Sequence, residues 1–254
     1  MVRMPASAFT AAFWGLVAGS ALLLGALVSS LTHVPQRVVA AVMAFGSGVL
    51  ISALSLDLML EAADTGGFTA AAVGFLGGAT LYTIANILVT RRGAHHRKRS
   101  GDQQAKASEG SGLALAVGAL LDGIPESIVI GISVLGGGRV SSVAVAAVFL
   151  SNFPEGLSSA AGMRKAGRGN RYVFGIWGGI TLASALAAGL GYLVFGGLSP
   201  AHVAAVNALA AGAILAMIAD TMIPEAFETA HEFAGLITVC GFLTAFALSR
   251  WENA

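Results

Sequence analysis

Long apolar runs alternate with short polar breaks along the whole chain. Eight runs are long enough to cross a bilayer as helices, which takes about 20 residues. They lie at about Ala8–Leu31, Val38–Leu60, Phe68–Thr90, Leu113–Leu135, Ser141–Ala161, Tyr172–Phe195, Ala201–Ile223 and Phe233–Leu248. The pattern predicts an all-α polytopic membrane protein with eight transmembrane helices, folded as a single membrane domain over residues 1–254. The first run follows Arg3 but exceeds the roughly 7 to 15 residues of a signal-peptide core, so it reads as a span. Trp251, just past the short last run, is placed to anchor at the lipid interface. The longest break, residues 91–111, is rich in Gly, Ser, Lys and Gln and predicts a flexible cytoplasmic loop. Its His95-His96 pair sits in a basic run and reads as part of that run's charge rather than as a metal sensor.

Composition agrees with this class. Of 254 residues, 56% are hydrophobic and 11% charged, where a soluble domain carries about 25%; the mean hydropathy is +0.80. The 34 glycines suit helices packed closely through small residues. Nothing supports nucleic-acid binding. The single cysteine, Cys240, excludes a disulfide within the chain and is expected to be a buried, inert thiol.

The charges are sorted by loop. Arg37, Arg91, Arg92, Arg97, Lys98, Arg99, Lys106, Arg164, Lys165, Arg168 and Arg171 all fall in breaks on one side of the bilayer, and only Arg3, Arg139 and Arg250 on the other. The positive-inside rule therefore places both termini outside a cell membrane. The compact chain suggests a prokaryotic plasma membrane.

Two of the spans carry chemistry that hydrocarbon does not tolerate for nothing. Leu121-Asp122-Gly123-Ile124-Pro125-Glu126-Ser127 lies in the fourth and Ser151-Asn152-Phe153-Pro154-Glu155-Gly156 in the fifth. Each proline withholds an N–H and is expected to bend its helix, freeing the carbonyls of Leu121 and Leu150. An acid at membrane depth costs roughly 2.5 to 3.5 kcal/mol on insertion scales. Asp122 and Glu126 share a helix face at i, i+4, and Asn152 and Glu155 share one at i, i+3. No Lys or Arg lies within any of the eight runs, so the interior is expected to lack a basic partner for these acids. Two bent helices side by side, brought close by Gly123 and Gly156, would then line one small volume with Asp122, Glu126, Asn152 and Glu155. That is an oxygen-rich cation site.

At these residues the sequence resembles the ZIP family of divalent-metal transporters, whose signature is a pair of His-Asn-x-Pro-Glu-Gly-like motifs in the fourth and fifth of eight membrane helices. Asp122 stands where the family usually has its first metal-binding His, Gly123 where it has Asn, and Ser151 where it has His or Gln. Pro125, Glu126, Asn152, Pro154, Glu155 and Gly156 keep the pattern. The resemblance implies transport of a divalent metal ion as substrate (Zn, Mn or Fe), no separate cofactor, net flux towards the cytoplasm and frequent homodimers. With no imidazole or thiolate at the motifs, oxygen chemistry admits Mn²⁺, Fe²⁺ or Mg²⁺ beside Zn²⁺. The sixth span, around Ile180–Ser184, offers no carboxylate for a second metal.

A repeat accompanies the motifs. Gly48 precedes Glu61 in and after the second span as Gly212 precedes Glu225 in and after the seventh. The two spans run in opposite senses, so helices 1–3 and 6–8 are expected to be inverted repeats in a 3+2+3 arrangement, the signature of alternating access. Asp57, Ser151, Asp220 and Glu225 are candidate stations on the ion pathway. Glu225, Glu228, His231 and Glu232 would form an acidic mouth at the inner side. Two other readings stay open: a proton-coupled transporter of a small organic solute on the same fold, and an intramembrane aspartyl-type enzyme. The enzyme lacks its expected Gly-x-Gly-Asp, and no enzymatic activity is expected.

Overall fold

A computed structural model of the chain describes residues 7–53, 58–94, 97–98, 100, 104, 112–135, 140–230 and 232–252. Among the described residues there are ten α-helices and no strand. They are α1 (Ala8–Leu31), α2 (Gln36–Ala53), α3 (Met59–Gly66), α4 (Phe68–Val89), α5 (Gly112–Ser133), α6 (Ser142–Lys165), α7 (Asn170–Phe195), α8 (Pro200–Met217), α9 (Ile223–Ala230) and α10 (Ala234–Glu252). Eight segments are long and apolar enough to cross a membrane, with α8 and α9 joined into one of them by a π-turn over Ile218–Met222. Of the second apolar run, the described residues form α2 up to Ala53 and α3 from Met59, and residues 54–57 between them lie outside the described residues. The seventh passes beyond its expected end at Ile223 to Ala230.

Local signals set many of these ends. Ser7 and Ser141 cap α1 and α6 by accepting hydrogen bonds from the backbone N–H of Thr10 and Ala144, both at 3.1 Å. Pro200 occupies the first turn of α8, where its missing N–H costs nothing. α6 closes in a Schellman turn: Gly167, at φ 87°, and Arg168 donate their N–H groups to the carbonyls of Arg164 and Met163, each at 3.0 Å.

The helices cross closely at small residues around an apolar core that includes Met43, Leu50, Val129, Leu157, Met217 and Met222. α1 fits between α6 and α7, α2 lies against α10 and α6, α4 against α8, and α5 against α7 and α8. At several crossings a glycine lets a neighbouring backbone carbonyl come so close that a Cβ would overlap it. These are Gly25 against Phe153, Gly156 against Leu22, Gly131 against Ala188, Gly48 against Thr238, Gly241 against Phe45, Gly78 against Leu209 and Gly212 against Phe75. Gly156 thus brings α1, not α5, against α6, and the atoms nearest a Cβ on Gly123 belong to Ser184 and Ile180 of α7. The expectation that these two glycines join the motif helices to each other is corrected accordingly.

The outer surface is apolar, as a lipid solvent requires. Leu76, Leu81 and Ile84 of α4, Leu186 and Leu190 of α7, and Val239 and Leu243 of α10 are exposed. Cys240 lies on this outer surface of α10 instead of in the interior. One face of the bundle, the terminal face, carries the starts of α1, α6 and α8 and the ends of α5, α7 and α10. The opposite, basic face carries Arg37, Arg91, Arg92, Arg164, Lys165, Arg168 and Arg171.

Candidate functional site

Both prolines sit inside helices that continue past them, Pro125 in α5 and Pro154 in α6. Asp122, Glu126 and Glu155 are all buried at mid-helix. What surrounds them was not expected. From just beyond the end of the third span, Arg97 and Lys98 turn into the bundle, where they are only 5% and 4% exposed.

Arg97 grips Asp122 as a fork. Its Nε donates to Oδ2 at 2.9 Å and its Nη2 to Oδ1 at 2.7 Å, the bidentate geometry that a planar guanidinium is built for. The Tyr82 hydroxyl of α4 donates to Asp122 Oδ1 at 2.7 Å and accepts from Arg97 Nη2 at 3.0 Å. Arg97 Nη1 donates to Asn86 Oδ1 at 2.8 Å. Burial works against the Arg97 charge, but the Asp122 carboxylate outweighs it and holds the guanidinium protonated beyond its ordinary range.

Lys98 bridges the two motif helices. Its ammonium lies 2.7 Å from Glu155 Oε1 and 3.4 Å from Asp122 Oδ2, as ion pairs whose angles fall short of hydrogen-bond geometry. The backbone of the dipeptide is held as firmly as its side chains. Ser159 Oγ donates to the Arg97 carbonyl at 2.7 Å, Ser158 Oγ to the Lys98 carbonyl at 2.6 Å, and Gln104 Nε2 to the Arg97 carbonyl at 3.1 Å. Irregular backbone is tolerated at such depth because protein groups satisfy it. The expectation of an interior without basic partners is therefore wrong for Asp122 and Glu155. At Arg97, Lys98, Ser100 and Gln104 the chain is buried rather than solvated.

Glu126 differs from the other two acids. It is 1% exposed, and its Oε1 has no hydrogen-bond partner among the described residues. It lines a cavity of about 1070 Å³ that runs from Glu61, Asp64 and Pro200, at helix ends of the terminal face, down to Glu126 itself. Asp122 and Glu155 do not line that cavity.

The remaining candidates fall in several places. Asn152 Nδ2 donates to the Ala18 carbonyl of α1 at 3.1 Å. Ser151 is buried and bonds back to the Val148 carbonyl of its own helix at 2.9 Å. Asp220 is exposed on the π-turn and accepts from Asn86 Nδ2 at 3.3 Å, so Asn86 links it to Arg97. Glu225 does not belong to an open acidic mouth: it is buried, and its Oε1 accepts from the Ser100 N–H at 2.9 Å and Ser100 Oγ at 2.5 Å, with Ser158 Oγ also within 2.9 Å. Glu228 and Glu232 are exposed. Asp57, His95, His96 and His231 lie outside the described residues. Among the described residues no three His, Cys, Asp or Glu side chains are grouped as a ready metal site.

Sequence reading missed Tyr82, Asn86, Arg97, Lys98 and Ser100. Tyr82 and Asn86 did leave a signal, as a tyrosine and an amide at i, i+4 on one face of a span whose other polar side chains are all threonines. Compared with known proteins, the sequence matches no protein-family model and no curated protein.

Proposed function

We propose that this chain is a secondary transporter of divalent metal cations of the Zn, Mn or Fe class, working by alternating access through a carboxylate-lined site between α5 and α6. Asp122, Glu126 and Glu155 bind the ion and Asn152 adds an amide oxygen. The observation that carries this reading is the asymmetric access to three buried acids. A cavity reaches Glu126 from the terminal face, while Arg97 and Lys98 cover Asp122 and Glu155 from the basic face. Acids at membrane depth mark ion or substrate paths, and an oxygen ligand set suits hard and borderline divalent ions. The ZIP resemblance of the two Pro-Glu motifs points the same way. By the positive-inside rule the basic face is cytoplasmic and the cavity opens outside.

Alternating access fits an inverted repeat, and the glycine crossings support one in a 3+2+3 arrangement. Adding 164 to Phe45 and Gly48 gives Leu209 and Gly212, and adding 163 to Phe75 and Gly78 gives Thr238 and Gly241. A two-fold exchange thus carries the Gly48–Thr238 and Gly241–Phe45 contacts onto Gly212–Phe75 and Gly78–Leu209. In the same way, adding 166 to Leu22 and Gly25 gives Ala188 and Gly191, while α5 and α6 exchange with a shift of 25. That relates Gly156–Leu22 to Gly131–Ala188, and Gly25–Phe153 to Gly191–Ile128. The shift carries Glu126 to Ser151 and not to Glu155, so the two Pro-Glu motifs sit one turn out of register and the site itself is asymmetric.

Metal-dependent thermal stabilisation of the purified protein in detergent tests the substrate class. Mn²⁺ or Zn²⁺ should raise the melting temperature of the intact protein by mass action and raise it less in Glu126→Ala. No shift with any divalent ion, together with one produced by an organic solute, would favour the proton-coupled alternative.

A further inference from the structure

A divalent ion and the Arg97-Lys98 dipeptide carry the same charge, and this dipeptide already holds two of the three acids. Asp122 takes the guanidinium fork and Glu155 the ammonium, and Lys98 lies between the two motif helices, where a bound ion would touch both. We infer that Arg97 and Lys98 act as a tethered counter-cation: they neutralise Asp122 and Glu155 when the site is empty and are exchanged for the metal ion when it is loaded. This rests on the metal-transport reading of the same site.

The physical reason is the cost of charge in a low-dielectric interior. An empty carrier with bare carboxylates could not reorient without a compensating cation, because uncompensated buried charge costs several kcal/mol per ion. Many carriers would take that cation from solution. Here the chain supplies it, and exchanging two tethered monovalent groups for one divalent ion leaves the charge of the pocket unchanged. The anchoring fits a reversible seat: polar contacts from Ser158, Ser159 and Gln104 hold the two carbonyls, and Ser100 docks on Glu225. None of these is covalent or apolar packing, so the dipeptide can leave towards the basic face. Withdrawal would open the release path at the moment metal takes over Asp122 and Glu155. The empty protein would return without a proton or sodium partner.

Removing the Lys98 charge should therefore separate two activities that a merely structural lysine would not. In proteoliposomes, Lys98→Gln should keep exchange of internal Mn²⁺ for external radiolabelled Mn²⁺, which needs only the loaded carrier. It should lose most net uptake into metal-free vesicles, which needs the empty carrier to return. Its Mn²⁺ affinity in detergent should tighten by at least about tenfold, since a site filled nine-tenths of the time by a tethered group shows a correspondingly weakened affinity. Lys98→Arg, which keeps the charge, should restore net uptake. The intact protein should take up Mn²⁺ equally well with and without a pH or sodium gradient. Equal loss of exchange and net uptake in Lys98→Gln, or unchanged net uptake at unchanged affinity, would overturn the inference while intact uptake upheld metal transport. If the intact protein neither binds nor moves Mn²⁺ or Zn²⁺, the transport reading fails first and the inference with it.

Discussion

Replacing Arg97 by Gln tests the buried fork most sharply. The guanidinium gives Asp122 hydrogen bonds of 2.9 and 2.7 Å, Asn86 one of 2.8 Å and Tyr82 one of 3.0 Å, all in a pocket where Asp122 is 2% exposed. Removing one partner of a buried pair costs about 3–5 kcal/mol, because the other charge stays behind. Lys98, 3.4 Å from Asp122 Oδ2, takes over part of the role, so the lower end, about 3 kcal/mol, is expected. Asp122→Asn alone should cost a similar amount by leaving two buried cations against Glu155. The double variant Arg97→Gln, Asp122→Asn removes both charges together and should recover about 2–3 kcal/mol of the summed single costs, a coupling expected only of residues in direct contact. Unfolding free energies of the intact protein, both single variants and the double in mixed detergent micelles give this cycle directly. Strictly additive single costs, or single costs below about 1 kcal/mol, the range of exposed pairs, would refute the buried fork.

Tyr82→Phe should lower the same unfolding free energy by about 1.5–3 kcal/mol, since the lost hydroxyl hydrogen-bonds both charged groups of the fork. Gly156→Ala should cost about 3 kcal/mol, the upper end for overpacking, because its Cβ would overlap the backbone of Leu22. Gly175→Ala, with nothing within 4 Å, should be neutral or slightly stabilising in a thermal melt. Leu76→Asp, on the exposed face of α4, should raise the insertion cost of that span by about 3 kcal/mol in a membrane-insertion assay. A neutral result there would remove α4 from the lipid surface.

Much of the architecture was legible because hydropathy is a local property. The limits of α1 and the position of α7 followed from apolar length alone, and the depth of Asp122, Glu126 and Glu155 followed from their place within those runs. What the sequence hid was the destination of Arg97 and Lys98. A basic residue beside a membrane segment looks the same whether it stays in water or folds back onto an acid, and the loop-charge rule counts it as solvated either way. The pairing had one physical hint: three acids at depth require cations, and the loop that leads from the third span into the Asp122 helix is rich in Arg and Lys. Glu225 misled for a related reason. Its place near a helix end suggested a solvated mouth, whereas Ser100 and Ser158 converge on it from elsewhere in the chain. Glycine positions revealed close packing but not its partner, so Gly123 and Gly156 were assigned to each other when their neighbours are α7 and α1.

Uptake of radiolabelled Mn²⁺ and Zn²⁺ into proteoliposomes, comparing the intact protein with Glu126→Ala and Glu155→Ala, is the most direct test of the central claim. The account predicts saturable uptake by the intact protein and its loss in both variants, with the ratio between the metals reporting what an oxygen site without histidine selects. Uptake that survives both substitutions, or none at all by a correctly folded intact protein, would contradict it.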